Sequence, residues 1–256
     1  MPPVIFALMP VLSLLREARS HGRKLLAVLV DPDQPEGVSS GALDELVHAA
    51  GVDIVLVGGS LLTDDRFHET VKQVKNVVPV PVVLFPGSVA QLSEDADAVL
   101  FLSLISGRNP DLLIGQHVHA AARLKHMDIE VLPTGYLLVD GGRATTASYI
   151  SHTLPIPRDK AGIAAMTALA GEYLGLQVIY LDGGSGAMHP VDPEMIRAVR
   201  HEVHCPIIVG GGIRTPEEAR AAWQAGADLV VLGTIWEQHP DALLDFHPEA
   251  RYTGHR

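Results

Sequence analysis

Three glycine-bearing stretches, each following a run of apolar residues, carry the most readable chemistry in this 256-residue sequence: Tyr180-Leu181-Asp182-Gly183-Gly184-Ser185-Gly186, Gly210-Gly211-Gly212-Ile213 and Gly233-Thr234. Glycine has no Cβ, so the backbone N–H groups beside it can close on an anion. Phosphate is the anion such loops hold at strand ends. Tight turns alone are a poor account of three clusters at three consecutive strand ends. The pattern names the bound group and leaves the reaction open. An isomerase, an aldolase, a flavin enzyme or a non-catalytic sensor of a phosphorylated ligand would carry the same loops.

A second set lies near the other end of the chain, in Asp31-Pro32-Asp33 and Gly58-Gly59-Ser60. A carboxylate and a hydroxyl on neighbouring strand ends are hard oxygen ligands of the kind Mg²⁺ accepts, with water and substrate phosphate completing the octahedron. Asp31 and Ser60 are therefore the candidate metal pair, although aspartate at a strand end also caps turns. His117, His119, His126, His201 and His204 show no metal-ligand spacing, and most of them read as solvated helix-face residues. Cys205, the single cysteine, precedes a proline and reads as a small buried residue rather than a nucleophile. There is no Walker A motif, no G-x-S-x-G elbow and no early G-x-G-x-x-G.

The elements that must position these residues follow an alternating rhythm. Strands are expected at 25–31, 53–58, 81–86, 97–102, 130–139, 177–182, 206–210 and 228–232, separated by helical patterns. Parallel β/α units of this number imply an α/β fold closed as a (β/α)₈ TIM barrel, a single domain over 1–256. In such barrels the chemistry sits at the C-terminal strand ends, with phosphate held after strands seven and eight. Asn109-Pro110-Asp111, Asp192-Pro193-Glu194 and Thr215-Pro216-Glu217-Glu218 each read as cap, proline and acid at a helix start. Gly175 and Gly226 read as stops for helices near 158–174 and 216–225.

Two places break the rhythm. Residues 87–97 are too few for a crossover helix with its two loops, so the third outer helix is expected to be shortened or absent, leaving an apolar trough on the barrel flank. Residues 141–157 lack a helical period and read as an active-site loop.

The composition limits the partners. Nineteen basic against thirty acidic residues give a net charge of −11, which repels nucleic acid. An anionic small substrate then needs local backbone dipoles or a divalent cation. Hydrophobic residues make up 47% and aromatics 5% of the chain, and the mean hydropathy is +0.22, as expected of a Val/Ile/Leu/Ala barrel core. The apolar run Val4 to Leu15 lacks a basic lead, is broken by Pro10 and is too short to span a bilayer. It reads as part of an N-terminal helix within 1–24, in a cytoplasmic protein.

Taken together, Val30-Asp31-Pro32-Asp33, Gly51-Val52-Asp53 through Gly58-Gly59-Ser60, Tyr180 to Gly186, Gly210 to Ile213 and Gly233-Thr234 resemble the geranylgeranylglyceryl phosphate synthase family, which includes heptaprenylglyceryl phosphate synthases. The stretches Gly135 to Gly142 and Pro155 to Lys160 resemble its group II. The resemblance implies a modified barrel lacking one outer helix, and a prenyltransferase that joins geranylgeranyl or another polyprenyl diphosphate to sn-glycerol 1-phosphate to form an ether lipid precursor. It implies Mg²⁺ held by Asp31 and Ser60. It also implies glycerol 1-phosphate bound by Tyr180, Leu181, Asp182, Gly183, Gly184, Ser185, Gly186, Gly211, Gly212, Gly233 and Thr234. A homo-oligomer, dimer or hexamer, is implied too, with transient membrane contact. Many relatives carry glutamate at Asp182, where it can accept the proton of the attacking hydroxyl; the shorter aspartate is read as the catalytic base all the same, with a bridging water as the fallback. Smaller relatives carry lysine at Leu29, and Arg143, Arg158 or Lys160 would replace its charge.

Overall fold

Short runs of Leu, Val and Ile form eight strands, β1 Leu25–Val30, β2 Ile54–Val57, β3 Val82–Leu84, β4 Ala98–Leu104, β5 Glu130–Leu138, β6 Val178–Asp182, β7 Ile207–Gly210 and β8 Leu229–Leu232. Each pairs in parallel with the next, and β8 returns to β1 over Leu25↔Leu229 to Val28↔Leu232, closing the barrel. The computed structural model describes residues 9–33 and 42–246. The two-residue strand period divides the apolar side chains into two sets. Leu56, Leu100, Tyr136, Leu138, Tyr180 and Val231 fill the interior, while Val55, Leu137, Leu181, Val209 and Val230 pack outward beneath the helices.

Helix α1 (Val11–Ser20) follows Pro10, which offers no side-chain cap. The Glu130 carboxylate serves instead, accepting the Val11 N–H and, at 3.2 Å, the Leu12 N–H. Val11, Leu15 and Ala18 of α1 join the interior cluster with Leu25 and Val178, so α1 plugs the N-terminal end of the barrel. The helix expected within 1–24 is thus present at 11–20, and residues 1–8 lie outside the described part. No described helix is long and apolar enough to cross a membrane.

The outer layer comprises α2 (Ala42–Ala50), α3 (Phe67–Val77), α4 (Gln116–Leu124), α5 (Thr146–Ser151), α6 (Ala161–Tyr173), α7 (Pro193–Glu202), α8 (Pro216–Ala225) and α9 (Thr234–Gln238). The expected caps form: the Asp192 carboxylate accepts the Glu194 N–H at 2.8 Å, and Thr215 and Glu218 make a capping box. Asn109 likewise accepts the Asp111 N–H at 3.1 Å, but the residues that follow form a π turn, Asp111–Gly115, before α4 begins.

Residues 85–97, between β3 and β4, contain no helix. Side chains hold this connection in place. Buried Gln91 accepts the Gly59 and Gly87 N–H groups, each at 3.2 Å, and donates to the Gly59 carbonyl at 2.9 Å. Arg123 of α4 donates to the Val89 and Leu92 carbonyls. The segment 141–157, read from sequence as lacking helix, contains α5. Its start is a capping box between Thr145 and Ser148, and six residues are too few to display an amphipathic period.

Candidate active site

The glycine stretches converge on one cavity at the C-terminal strand ends. Tyr180, Asp182, Ser185, Gly186, Gly211, Gly212, Gly233 and Thr234 all line it. Three of the residues assigned to the phosphate cradle stand back from the lining. Leu181 points outward into the helix-facing core. The Gly183 N–H donates to the Gly210 carbonyl at 3.0 Å, and the Gly184 N–H to Asp182 Oδ1 at 2.7 Å. These two amides shape the cradle and hold Asp182. Gly211 has to be glycine: its φ is +79°, and a Cβ would lie 2.5 Å from Asp182 Oδ1 and 2.6 Å from the Gly184 nitrogen.

Asp182 is 6% exposed. Its second oxygen accepts the Tyr136 hydroxyl at 2.6 Å. Burial pushes the Asp182 carboxyl above its ordinary value, and the bonds from Tyr136 and Gly184 oppose that rise. Burial and the adjacent Asp182 charge push both tyrosine hydroxyls well up, so Tyr136 is a donor across the ordinary pH range. Phe85 stacks on Tyr180 with centroids 5.1 Å apart, and Tyr136 meets both rings edge-on. The carboxylate is thus fixed in orientation and raised in basicity at the floor of the cavity.

Across the cavity stand Asp31 and Ser60. The Asp31 carboxylate is half-buried, accepts the Asp33 N–H at 3.0 Å, and is pushed above its usual range chiefly by burial, with the nearby Asp33 charge adding to the effect. Asp33 also accepts the Thr63 N–H and hydroxyl, each at 2.8 Å, tying the β1 loop to the β2 loop. A desolvated carboxylate beside a second carboxylate and a hydroxyl fits a divalent cation. Among the described residues no group of three His, Cys, Asp or Glu side chains could hold a metal. A cation there would take its remaining oxygens from water and substrate.

A second chamber opens where the helix is missing. Val89, Leu92, Leu100, Phe101, Leu104, Leu112 and Ile150 give it an apolar lining. Gly59, Ser60 and Phe85 line both chambers. The two meet at the candidate metal ligand Ser60. Above them lies α5, whose Thr146 faces the cradle while Ala147 and Ile150 face the trough.

The model of the PcrB family matches residues 20–250 of the chain. The chain belongs to the PcrB family. Among its relatives, the geranylgeranylglyceryl phosphate synthase of Spirosoma linguale is 53% identical, covering 91% of this chain and 93% of that protein. That of Thermococcus gammatolerans is 44% identical over 84% and 85% of the two chains. The crystal structure of (S)-3-O-geranylgeranylglyceryl phosphate synthase from Thermoplasma acidophilum, in complex with sn-glycerol-1-phosphate, aligns with a TM-score of 0.87 at 37% identity, covering 95% of this chain and 98% of that one.

Within this PcrB-family barrel, several side chains sit elsewhere than sequence reasoning placed them. His117 is 8% exposed rather than solvated: it faces the trough, edge-on to Phe101 at 4.4 Å, with Nε2 3.1 Å from the Ser103 hydroxyl. His119, His126, His201 and His204 are exposed as expected. Arg158 donates to the Pro190 carbonyl and pairs with Asp192, and Lys160 pairs with Asp159. Both charges are engaged outside the cavity lining. The Cys205 thiol is pushed up to about 12, mainly by burial, which agrees with an inert residue. Tyr136 and Arg214 were missed. Arg214 lines the cradle and donates to the Ala187, Met188 and Gly212 carbonyls. In β5, strand parity was the available signal for Tyr136, which pairs with inward-facing Tyr180.

Proposed function

We propose that this chain is a Mg²⁺-dependent prenyltransferase that joins geranylgeranyl diphosphate to sn-glycerol 1-phosphate, forming an ether lipid precursor and releasing diphosphate. The observation that carries this reading is the shared wall of Gly59, Ser60 and Phe85 between a polar cradle and an apolar trough. One substrate must be a small phosphate and the other a long apolar chain. Their reactive ends meet beside Ser60. The names of the relatives, and the glycerol 1-phosphate in the Thermoplasma acidophilum complex, support the same pairing.

In this reading the cradle holds the phosphate of glycerol 1-phosphate, and the trough holds the prenyl tail against Phe101 and Leu104. Asp31 and Ser60 would hold Mg²⁺, which when bound offsets the negative charge of the leaving diphosphate. Asp182 accepts the proton of the attacking glycerol hydroxyl as that oxygen bonds the allylic carbon and the carbon–diphosphate bond breaks. The proton leaves on Asp182, and the electron pair leaves with diphosphate. The Tyr136 hydroxyl and the Gly184 N–H keep the carboxylate aimed. The Phe85 and Tyr180 rings, both in the cavity lining, would lie near the positive charge that develops on the allylic carbon. The proposal includes a cytoplasmic homo-oligomer, dimer or hexamer, that meets the membrane transiently.

The test is incubation with glycerol 1-phosphate and isoprenoid diphosphates of several lengths, with Mg²⁺ or with chelator. An extractable ether product that requires Mg²⁺ is expected, and no product at any chain length would overturn the reading. Asp31→Asn should remove nearly all turnover while the thermal midpoint stays near wild type. Wild-type rates in that variant would take Asp31 out of the mechanism.

A further inference from the structure

The cradle has a charge problem. The net charge of the chain is −11, and Asp31 and Asp182 both line the cavity that must accept a phosphate. The Gly183 and Gly184 amides are committed within the fold. Arg214 lines the cavity too, but three of its five N–H donors go to carbonyls of the loops around it. Leu29 presents only an apolar side chain beside Gly233. A second guanidinium, with its whole fork of donors open, would balance the two carboxylates at the rim.

Arg143 is placed to supply it. Its guanidinium lies on Gly186, a cradle residue with φ +72°, and a Cβ on Gly186 would run into it. Among the described residues, no hydrogen bond or ion pair occupies that guanidinium. The loop that carries Arg143 is anchored on both sides. The Gly141 carbonyl accepts the Met188 N–H at 2.8 Å and the His189 N–H at 3.1 Å. Thr145 packs against Gly184, where a Cβ would lie 2.7 Å from its hydroxyl oxygen. Thr146 then lines the cavity. Arg143 is exposed, yet the residues on either side of it, Gly141 and Thr145, tie its segment to the loop it overhangs.

We propose that Arg143 is the cationic contact for the phosphate of glycerol 1-phosphate, reaching over Gly186 to close the open side of the backbone cradle. The assignment rests on the function proposed above. A planar guanidinium can grip two phosphate oxygens at once, which a lysine at the same place could not reproduce.

The test compares wild type with Arg143→Gln and Arg143→Lys, by steady-state kinetics and by calorimetric titration of glycerol 1-phosphate and of inorganic phosphate without prenyl substrate. Arg143→Gln should raise KM for glycerol 1-phosphate on the order of 10- to 100-fold, with a far smaller change in kcat. KM for geranylgeranyl diphosphate should stay put, and phosphate affinity should weaken in parallel. Arg143→Lys should fall between. Unchanged affinity for both phosphate ligands in the glutamine variant would overturn the assignment, as would a loss confined to the diphosphate substrate. If wild type makes no ether product, the proposed reaction fails, while the calorimetric comparison still decides whether Arg143 holds phosphate.

Discussion

Beyond β6, β7 and β8 the barrel mouth is lined by glycine, backbone and one buried carboxylate, whereas beside β3 and β4 it is lined by leucine, valine and phenylalanine. In the proposed reading the cradle draws its selectivity from main chain packed so closely that Gly211 has no room for a methyl group. The trough obtains its capacity from an omitted helix, and its wall is a set of side chains that can change volume. Backbone recognition is rigid and fails abruptly, while an apolar wall yields by degrees. The two regions should therefore answer mutation in different currencies: the cradle in glycerol 1-phosphate kinetics, the trough in prenyl chain length.

Gly211→Ala is the harshest test of that contrast. The new Cβ would displace Asp182 and the Gly184 amide and impose a positive φ on alanine. Since a shift near 1 Å at reacting groups costs roughly 100-fold, kcat/KM for glycerol 1-phosphate should fall at least about that far. A fall below tenfold would show that the cradle has slack. Tyr136→Phe comes next. It removes a bond that holds the buried Asp182 carboxyl down, so the carboxyl rises further. A base must be ionised, and activity is lost as pH falls through its pKa. The acid limb of the kcat profile should then move to higher pH, so that the deficit against wild type grows as pH falls. An unmoved limb would take Asp182 out of the role of base.

On the other side, Leu112→Trp narrows a partly buried stretch of trough wall. The preference should shift about tenfold towards shorter diphosphates, with KM for glycerol 1-phosphate unchanged. A change in both would mean that the chambers are not separable. The mildest effect is expected of Gln91→Ala. It strips the brace between the β2 and β3 loops and should cost about 2 kcal/mol of stability by denaturant titration. Turnover should fall only a few-fold, at every chain length alike.

What the sequence discloses follows the same division. The cradle was legible because glycines at strand ends are local signals. The missing helix was legible because eleven residues, 87–97, cannot hold a crossover helix and two loops. Tyr136 was not legible as the partner of Asp182, because their contact depends on the β5–β6 register, Tyr136↔Tyr180 and Leu138↔Asp182, across 46 positions. His117 and His119 sit two apart on one helix, and nothing local says which of them turns inward. Helix α5 escaped notice because its start is a capping box without a following apolar period. The position of Arg143 over Gly186 likewise belongs to a contact between distant loops.

The central claim, that two phosphate-bearing substrates meet at Ser60 from opposite chambers, is tested most directly by a crystal structure of the protein with Mg²⁺, glycerol 1-phosphate and an unreactive thio analogue of geranylgeranyl diphosphate. The account predicts the glycerol phosphate against Gly211, Gly212 and Gly233, the diphosphate beside Asp31 and Ser60, and the tail along Phe101 and Leu104 in the helix gap. A tail lying outside that gap, or a glycerol phosphate bound away from the three glycines, would contradict it.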